Sequence, residues 1–175
     1  MKKLLVFMAV FAISAFANPL VFTQGTVTAH TEVFGDSTID PQTSNITSRL
    51  SIGDDISSLK GFVDISLIAL KSDNHDRDKH MYQAIEAMKY LITTYTISNV
   101  KKVDNHYEIH GTLDLHGVKK PLKLVGNIKY ANGKLKMDLK ASFLMSGFGI
   151  EPPKLLFLTV RDKIDIKINT TFTKQ

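Results

Sequence analysis

The sequence predicts an all-β fold, an eight-stranded antiparallel up-and-down barrel with one amphipathic α-helix between its third and fourth strands. Three observations predict it. Long segments alternate apolar and polar residues with period two, which marks strands with one buried and one wetted face. Turn-forming pairs separate those segments at hairpin spacing. Only one stretch has helical rather than strand-like character.

The chain starts with Lys2 and Lys3, an apolar run from Leu4 to about Phe16, and the small-x-small triplet Ala15, Phe16, Ala17. This is the pattern of a secretory signal peptide, residues 1–17, cut after Ala17. The run is shorter than the roughly 20 residues that span a bilayer as a helix. Residues 18–175 then form a single domain in the periplasm or outside the cell. The formal net charge of +5 falls by two with the leader, and the remainder is spread along the chain. That balance speaks for solubility and not for nucleic-acid binding. With no cysteine and 43% hydrophobic residues, an exported domain must rest on its core rather than on disulfides.

Strands are predicted at 22–35, 43–52 and 62–70. Residues 75–89, "HDRDKHMYQAIEAMK", form the helix, with Met81, Ile85 and Met88 at helical spacing. Ser72, Asp73 and Asn74 supply caps, and Asp76 and Asp78 sit in the first turn, where the helix dipole favours acids. Strands resume at 92–103, 107–115, 122–131, 134–145 and 161–173. The alternation is strongest late in the chain: Leu135, Met137, Leu139, Ala141 and Phe143 interleave with Lys134, Lys136, Asp138 and Lys140. Ile164, Ile166, Ile168 and Phe172 interleave with Asp165, Lys167 and Asn169. Asp104 with Asn105, Gly117 before Pro121, and Asn132 with Gly133 mark the turns, the last being a strong two-residue hairpin signal. Eight strands joined by hairpins are predicted to close, because closure removes exposed edges.

An eight-stranded barrel is near the size at which side chains fill the interior, so the inward residues decide between solid core and cavity. Thr94, Thr96, Ser98, Gly111, Gly126 and Ala141 are read as inward and small, which leaves space. Equally, they could answer bulky neighbours such as Phe143, Phe172 and Tyr107 in an interdigitated core. A cavity lined by Leu, Ile, Met and Phe would select an apolar guest. Each buried methylene contributes about 0.8 kcal/mol, so roughly fifteen chain carbons give about 12 kcal/mol against association costs of about 4–15 kcal/mol. Long lipids are therefore favoured over small metabolites.

Catalytic and metal-binding patterns are missing. His75 and His80, five apart on a helix, do not share a face, and His106 and His110 on one strand stand roughly 13 Å apart, too far to ligate one ion. No metal site and no cofactor are expected. There is no G-x-S-x-G elbow, and "MSGFG" around Ser146 lacks the helix that would follow a nucleophile. The polar run "HDRDKH" reads as a solvated helix start or as a charged rim around the barrel mouth.

Four stretches resemble the YceI-like family, bacterial exported domains similar to lipocalins and described as binding polyisoprenoids. "HDRDKHM" at residues 75–81 is similar to the family's R-D-x-H-L, and "KYLITTY" at 89–95 lies where the family has its next strand. "GTLDLHGVKKPLKL" at 111–124 is close to G-x-L-T-L-H-G-V-T-K-P-V, and "MSGFGI" at 145–150 is similar to R-S-D-F-G-I. The chain has Leu91 where the family usually has Pro, Tyr95 where it usually has Phe, and Met145 and Gly147 in place of the turn's Arg and Asp. The resemblance implies a lipocalin-like barrel with an elongated apolar cavity, a long-chain isoprenoid, fatty or quinone-like guest, often a homodimer, and no catalysis. It also implies that Leu113, Leu115, Leu122 and Leu124 face the cavity across a tight turn.

On strand phase, the cavity lining is assigned to Tyr107, Leu113, Leu124, Ile128, Met137, Leu139, Phe143, Ile166 and Ile168. Arg77, His80 and Met81 are placed at the mouth, on the helix. A one-residue bulge would flip part of this list. Two other readings compete. An outer-membrane barrel would place Lys134, Lys136 and Lys140 against lipid at about 2–4 kcal/mol for each mid-bilayer Lys, so no stable membrane insertion is expected. A filled barrel would act as a stress-related or partner-binding module with no lipid.

Overall fold

A computed structural model describes residues 18–33, 36–155 and 158–175; the predicted leader 1–17 lies outside them. The strands are β1 (Asn18–Val33), β2 (Asp36–Ile39), β3 (Gln42–Thr43), β4 (Ile46–Ile52), β5 (Lys60–Ser66), β6 (Ile92–Val103), β7 (His106–Leu115), β8 (Val118–Ala131), β9 (Lys134–Leu144), β10 (Lys154–Leu155), β11 (Leu158–Thr159) and β12 (Lys163–Lys174). The helix α1 (His75–Ala84) falls between β5 and β6. Eight long strands make the barrel, in the order β1, β4, β5, β6, β7, β8, β9, β12, and β12 pairs back onto β1. Every pairing is antiparallel, and closure runs from Leu20 opposite Lys174 to His30 opposite Asp165. The predicted architecture is therefore present. The short β2 and β3 extend one rim beside β1, and β10 with β11 forms a separate small hairpin.

Hairpin chemistry sets the register. His116 and Gly117 (φ 56° and 75°) and Asn132 and Gly133 (φ 52° and 70°) form two-residue turns with both central residues at positive φ, the twist-matched geometry for a tight hairpin. Leu115 thus pairs directly with Val118. Strand β8 begins at Val118 rather than at 122, and Pro121 lies inside it, opposite Thr112. Residues flanking a two-residue turn form a hydrogen-bonded pair and the pattern alternates, so the Pro121 nitrogen faces away from β7. β9 pairs with β8 only from Val125 onward. A missing N–H on that side leaves no ladder bond unmade.

Strand phase departs from expectation on β6. Tyr95 and Ile97 pack against the core while Thr96 and Ser98 are exposed, and the Thr94 hydroxyl bonds Asp64. Thr94, Thr96 and Ser98 are therefore wall residues facing out. A bulge at Ser98 then shifts the phase and turns Val100 inward, 2% exposed. The predicted inward glycines leave no room either. A Cβ on Gly111 would lie 2.5 Å from the Tyr95 ring, and one on Gly126 would lie 2.1 Å from the Asp138 carbonyl oxygen. Both glycines answer a close neighbour rather than open a space.

The helix begins as expected, with the Asn74 side chain accepting from the amides of Asp76 and Arg77. It stops at Ala84, a turn before the predicted end at 89. Glu86 adopts φ 46°, its amide bonds Gln83 O, and Ala87 N bonds Tyr82 O, the paired bonds of a Schellman C-terminus. Met88, predicted on the apolar helix face, is 80% exposed.

The interior divides into two packed ends. One contains Leu20, Ile52, Leu59, Val100, Ile128, Leu135 and Phe172. The other contains Leu67, Leu70, Ala87, Leu115, Phe148 and Ile150 and joins the helix region to the wall. Because the Gly126 contact is with backbone, which cannot swing aside, Gly126→Ala should lower stability by about 1–3 kcal/mol in urea unfolding.

Candidate functional site: an apolar cavity

Between the packed ends lies a cavity of about 900 Å³. That is the upper part of the range for small-molecule sites, about 300–1,000 Å³. The cavity exists because residues of each barrel strand alternate between the two faces and the inward set is apolar. On β9 the inward Met137, Leu139 and Phe143 line it while Lys134, Lys136, Asp138 and Lys140 are exposed outside. On β12 the lining runs Ile164, Ile166, Ile168, Thr170, Phe172. On β7 and β8, Leu113, Leu115, Leu122 and Leu124 all face it.

Seven of the nine residues assigned to the lining thus border the cavity: Leu113, Leu124, Met137, Leu139, Phe143, Ile166 and Ile168. Tyr107 and Ile128 do not. They pack into the closed end, Ile128 at 5% exposure and Tyr107 partly buried against the same cluster. Both are packed in the closed-end cluster, where side chains can fill the interior of an eight-stranded barrel. Sequence reasoning missed Leu50, Val63, Tyr95, Ile97 and Ile109, which also line the cavity. The Tyr95-x-Ile97 spacing was the available signal, obscured by threonines at both phases. The Tyr95 hydroxyl lies 3.1 Å from the Ile109 carbonyl and 2.9 Å from that of Leu122, and burial pushes its pKa up.

The mouth is bordered by three pieces. They are α1, the end of β1 with Ile39 and Pro41, and the β10–β11 hairpin with Pro153, Lys154 and Leu158. Arg77, His80 and Met81 border the opening from α1. Arg77 also contacts Asp73 at 3.5 Å. Asp78 is only 5% exposed and accepts from the Ser72 amide at 2.8 Å and hydroxyl at 2.7 Å. Tyr82 donates to the Leu70 carbonyl, and desolvation with the nearby Asp78 charge pushes its phenol up. These bonds pin the helix to the segment after β5.

A second set pins the end of the helix segment. The Glu86 carboxylate contacts His116 Nε2 at 2.9 Å and Lys89 Nζ at 3.2 Å, while His116 Nδ1 lies 3.1 Å from the Phe148 carbonyl oxygen. The Tyr90 ring packs on His116 at 4.4 Å. Ser146 binds Asp162 through both its amide and its hydroxyl, which ties the turn after β9 to the segment before β12. Among the described residues no three His, Asp or Glu side chains group as a metal site. Also among them, one buried side-chain oxygen has no partner: Thr170 Oγ1, a lack that costs about 1–3 kcal/mol.

A closed antiparallel barrel with an apolar cavity capped by one helix is the class that fold and site define. The chain belongs to the family of YceI-like domains, whose model matches residues 20–172. A UPF0312 protein from Pectobacterium atrosepticum is 38% identical over 64 residues, 35% of this chain. That match spans about a third (33%) of the relative's length. Among solved structures, Burkholderia cenocepacia BcnA superposes with a TM-score of 0.71 at 12% identity, over 84% of this chain and 95% of that one. A Campylobacter jejuni YCEI protein gives 0.61 at 20% identity, over 100% and 99%. A polyisoprenoid binding domain from Saccharophagus degradans gives 0.60 at 13%, over 91% and 99%. At these identities the likeness establishes the shared barrel.

The clamp at the helix end is acid-sensitive. Hydrogen bonds from Lys89, first, and His116 hold the Glu86 carboxyl below its ordinary value of 4.5. Its contribution is present above that value and lost as pH falls below it. Thermal midpoints should therefore drop as pH is lowered from about 5 to about 3, and Glu86→Gln should reduce that slope.

Proposed function

We propose that this protein is an exported, non-catalytic lipid-binding protein whose cavity holds a polyisoprenoid or similar long-chain apolar molecule, for carriage, storage or protection. The observation that carries the reading is the 900 Å³ cavity, whose barrel-strand walls are mostly Leu, Ile, Val, Met and Phe, while most of its polar lining residues lie at the mouth between Ser72 and Gln83. Its size suits a chain long enough to offset the cost of association, since about 0.8 kcal/mol accrues per buried methylene. The structural neighbour from Saccharophagus degradans is a polyisoprenoid binding domain, which supports the same ligand class here. Export rests on the leader pattern of residues 1–17, and a homodimer on the family resemblance.

The charged outer wall favours an aqueous surface over a lipid-facing one. Lys134, Lys136 and Lys140 are exposed along β9, each costing about 2–4 kcal/mol at a bilayer midplane. The size of the cavity weighs against the filled-barrel module.

The test is mass spectrometry of organic extracts from protein made with its own leader and purified without detergent. A stoichiometric isoprenoid or long-chain lipid is expected. A blank that persists after incubation with membrane lipids would overturn the reading. A narrower expectation concerns Ala29, a small residue of β1 that lines the cavity opposite Ile166. Ala29→Trp should fill space without breaking the wall, reducing bound lipid about ten-fold or more, the worth of two displaced methylenes. Unfolding midpoints of the variant should stay near those of the parent.

A further inference from the structure

Thr170 is the polar exception on the cavity floor. Along β12 the lining descends from Ile164, which belongs to the mouth-side cluster, through Ile166 and Ile168 to Thr170, and ends at Phe172 in the closed-end cluster. Thr170 is six positions beyond Ile164, roughly 20 Å along the strand. Thr170 is 3% exposed and stands between Gly25 of β1, which has no side chain, and Met137 of β9. Leu50, Ile109, Leu124 and Phe172 also line the cavity and belong with Met137 to the closed-end cluster.

Two other threonines border the cavity, and both spend their hydroxyls on the protein. Thr31 bonds the Arg161 carbonyl at 3.0 Å, and Thr93 bonds the Asp114 carbonyl at 2.8 Å. The Thr170 oxygen has no partner. A valine would have the same shape without an orphaned oxygen, so a threonine at this depth costs stability unless something else completes its hydrogen bond. The side chain borders the cavity while its oxygen is tucked away from solvent. A 120° turn about Cα–Cβ between staggered rotamers carries Oγ1 into the place of the methyl group. A hydroxyl both donates and accepts, and none of the residues of the closed-end cluster is charged.

We propose that Thr170 recognises the inner end of the cavity's occupant, and that this end is a small uncharged hydrogen-bonding group, a hydroxyl or a carbonyl. This rests on the lipid-binding reading. It adds that the guest enters with such a group leading, and that Thr170 selects it over a plain hydrocarbon tail. A charged group is excluded from this position, because no counter-charge is available to offset its desolvation.

Matched probes test it: 1-dodecanol and n-dodecane, each displacing the fluorophore 1-aminoanthracene from the mature protein. The parent should bind the alcohol more tightly than the alkane by roughly three- to ten-fold, the worth of one neutral hydrogen bond. Thr170→Val should erase that preference through weaker alcohol binding, leaving alkane affinity unchanged and thermal stability equal or higher. Thr170→Ser, which retains the hydroxyl, should keep the preference, and Thr170→Ala should lose it, giving a second comparison if the valine variant folds poorly. A preference that survives both Thr170→Val and Thr170→Ala overturns the assignment of Thr170 while lipid binding stands. Displacement of the fluorophore by neither probe in the parent overturns the lipid-binding reading itself.

Discussion

The pairing of β1 with β12 is the constraint on which the rest of this structure depends. From Leu20 opposite Lys174 to His30 opposite Asp165, it turns a meander into a closed wall. An open sheet of these strands would expose two rows of unpaired backbone groups. Closure satisfies them and fixes which face is inside. It also fixes the enclosed volume, since strand number and tilt set a barrel's diameter. β1 carries this load with 16 residues and reaches four neighbours: β12, β4, β3 and β2.

With the ring closed, the two ends differ. At one end Leu135, Phe172, Ile128 and Val100 meet and exclude solvent, helped by the edge-on contact of Phe22 with Phe172 at 5.7 Å. At the other, wall residues alone do not meet, and the gap is roofed by α1 and the β10–β11 hairpin. The roof is held by polar bonds at its margins: Asp78 to Ser72, Tyr82 to Leu70, and Glu86 to His116. These are a few isolated bonds rather than a continuous ladder, so opening them requires less than breaching the wall. A lid attached at its edges to a rigid barrel is a fitting arrangement for the proposed guest, which must enter and be shielded.

Polar atoms inside are placed sparingly, and nearly all are committed to the protein. Tyr95 illustrates the economy: its ring occupies the space over Gly111, and its hydroxyl reaches two carbonyls of neighbouring strands. The wall is thereby stiffened from within while the cavity remains apolar. Thr170 is the departure from that rule, which is why it carries the further proposal.

Period-two alternation by itself determined the barrel, the number of long strands and the inward set on β9 and β12, because strict alternation admits one phase. The tight turns were legible too, since Asn132 with Gly133 needs positive φ that few other pairs accept. Tertiary structure alone decided what alternation cannot encode. Bulges at Thr23 and Ser98 reverse the phase within β1 and β6, so Thr94, Thr96 and Ser98 face out although a single phase pointed them in. Depth was equally hidden, because Ile128 and Met137 pair across β8 and β9 yet one fills the floor and the other borders the cavity. The end of α1 at Ala84 brings the Glu86 carboxylate to His116, thirty residues away along the chain. Local sequence dictates which face a residue takes within an unbroken strand; where strands slip, taper or meet a roof is set by contacts between distant segments, and those form only when the ring closes.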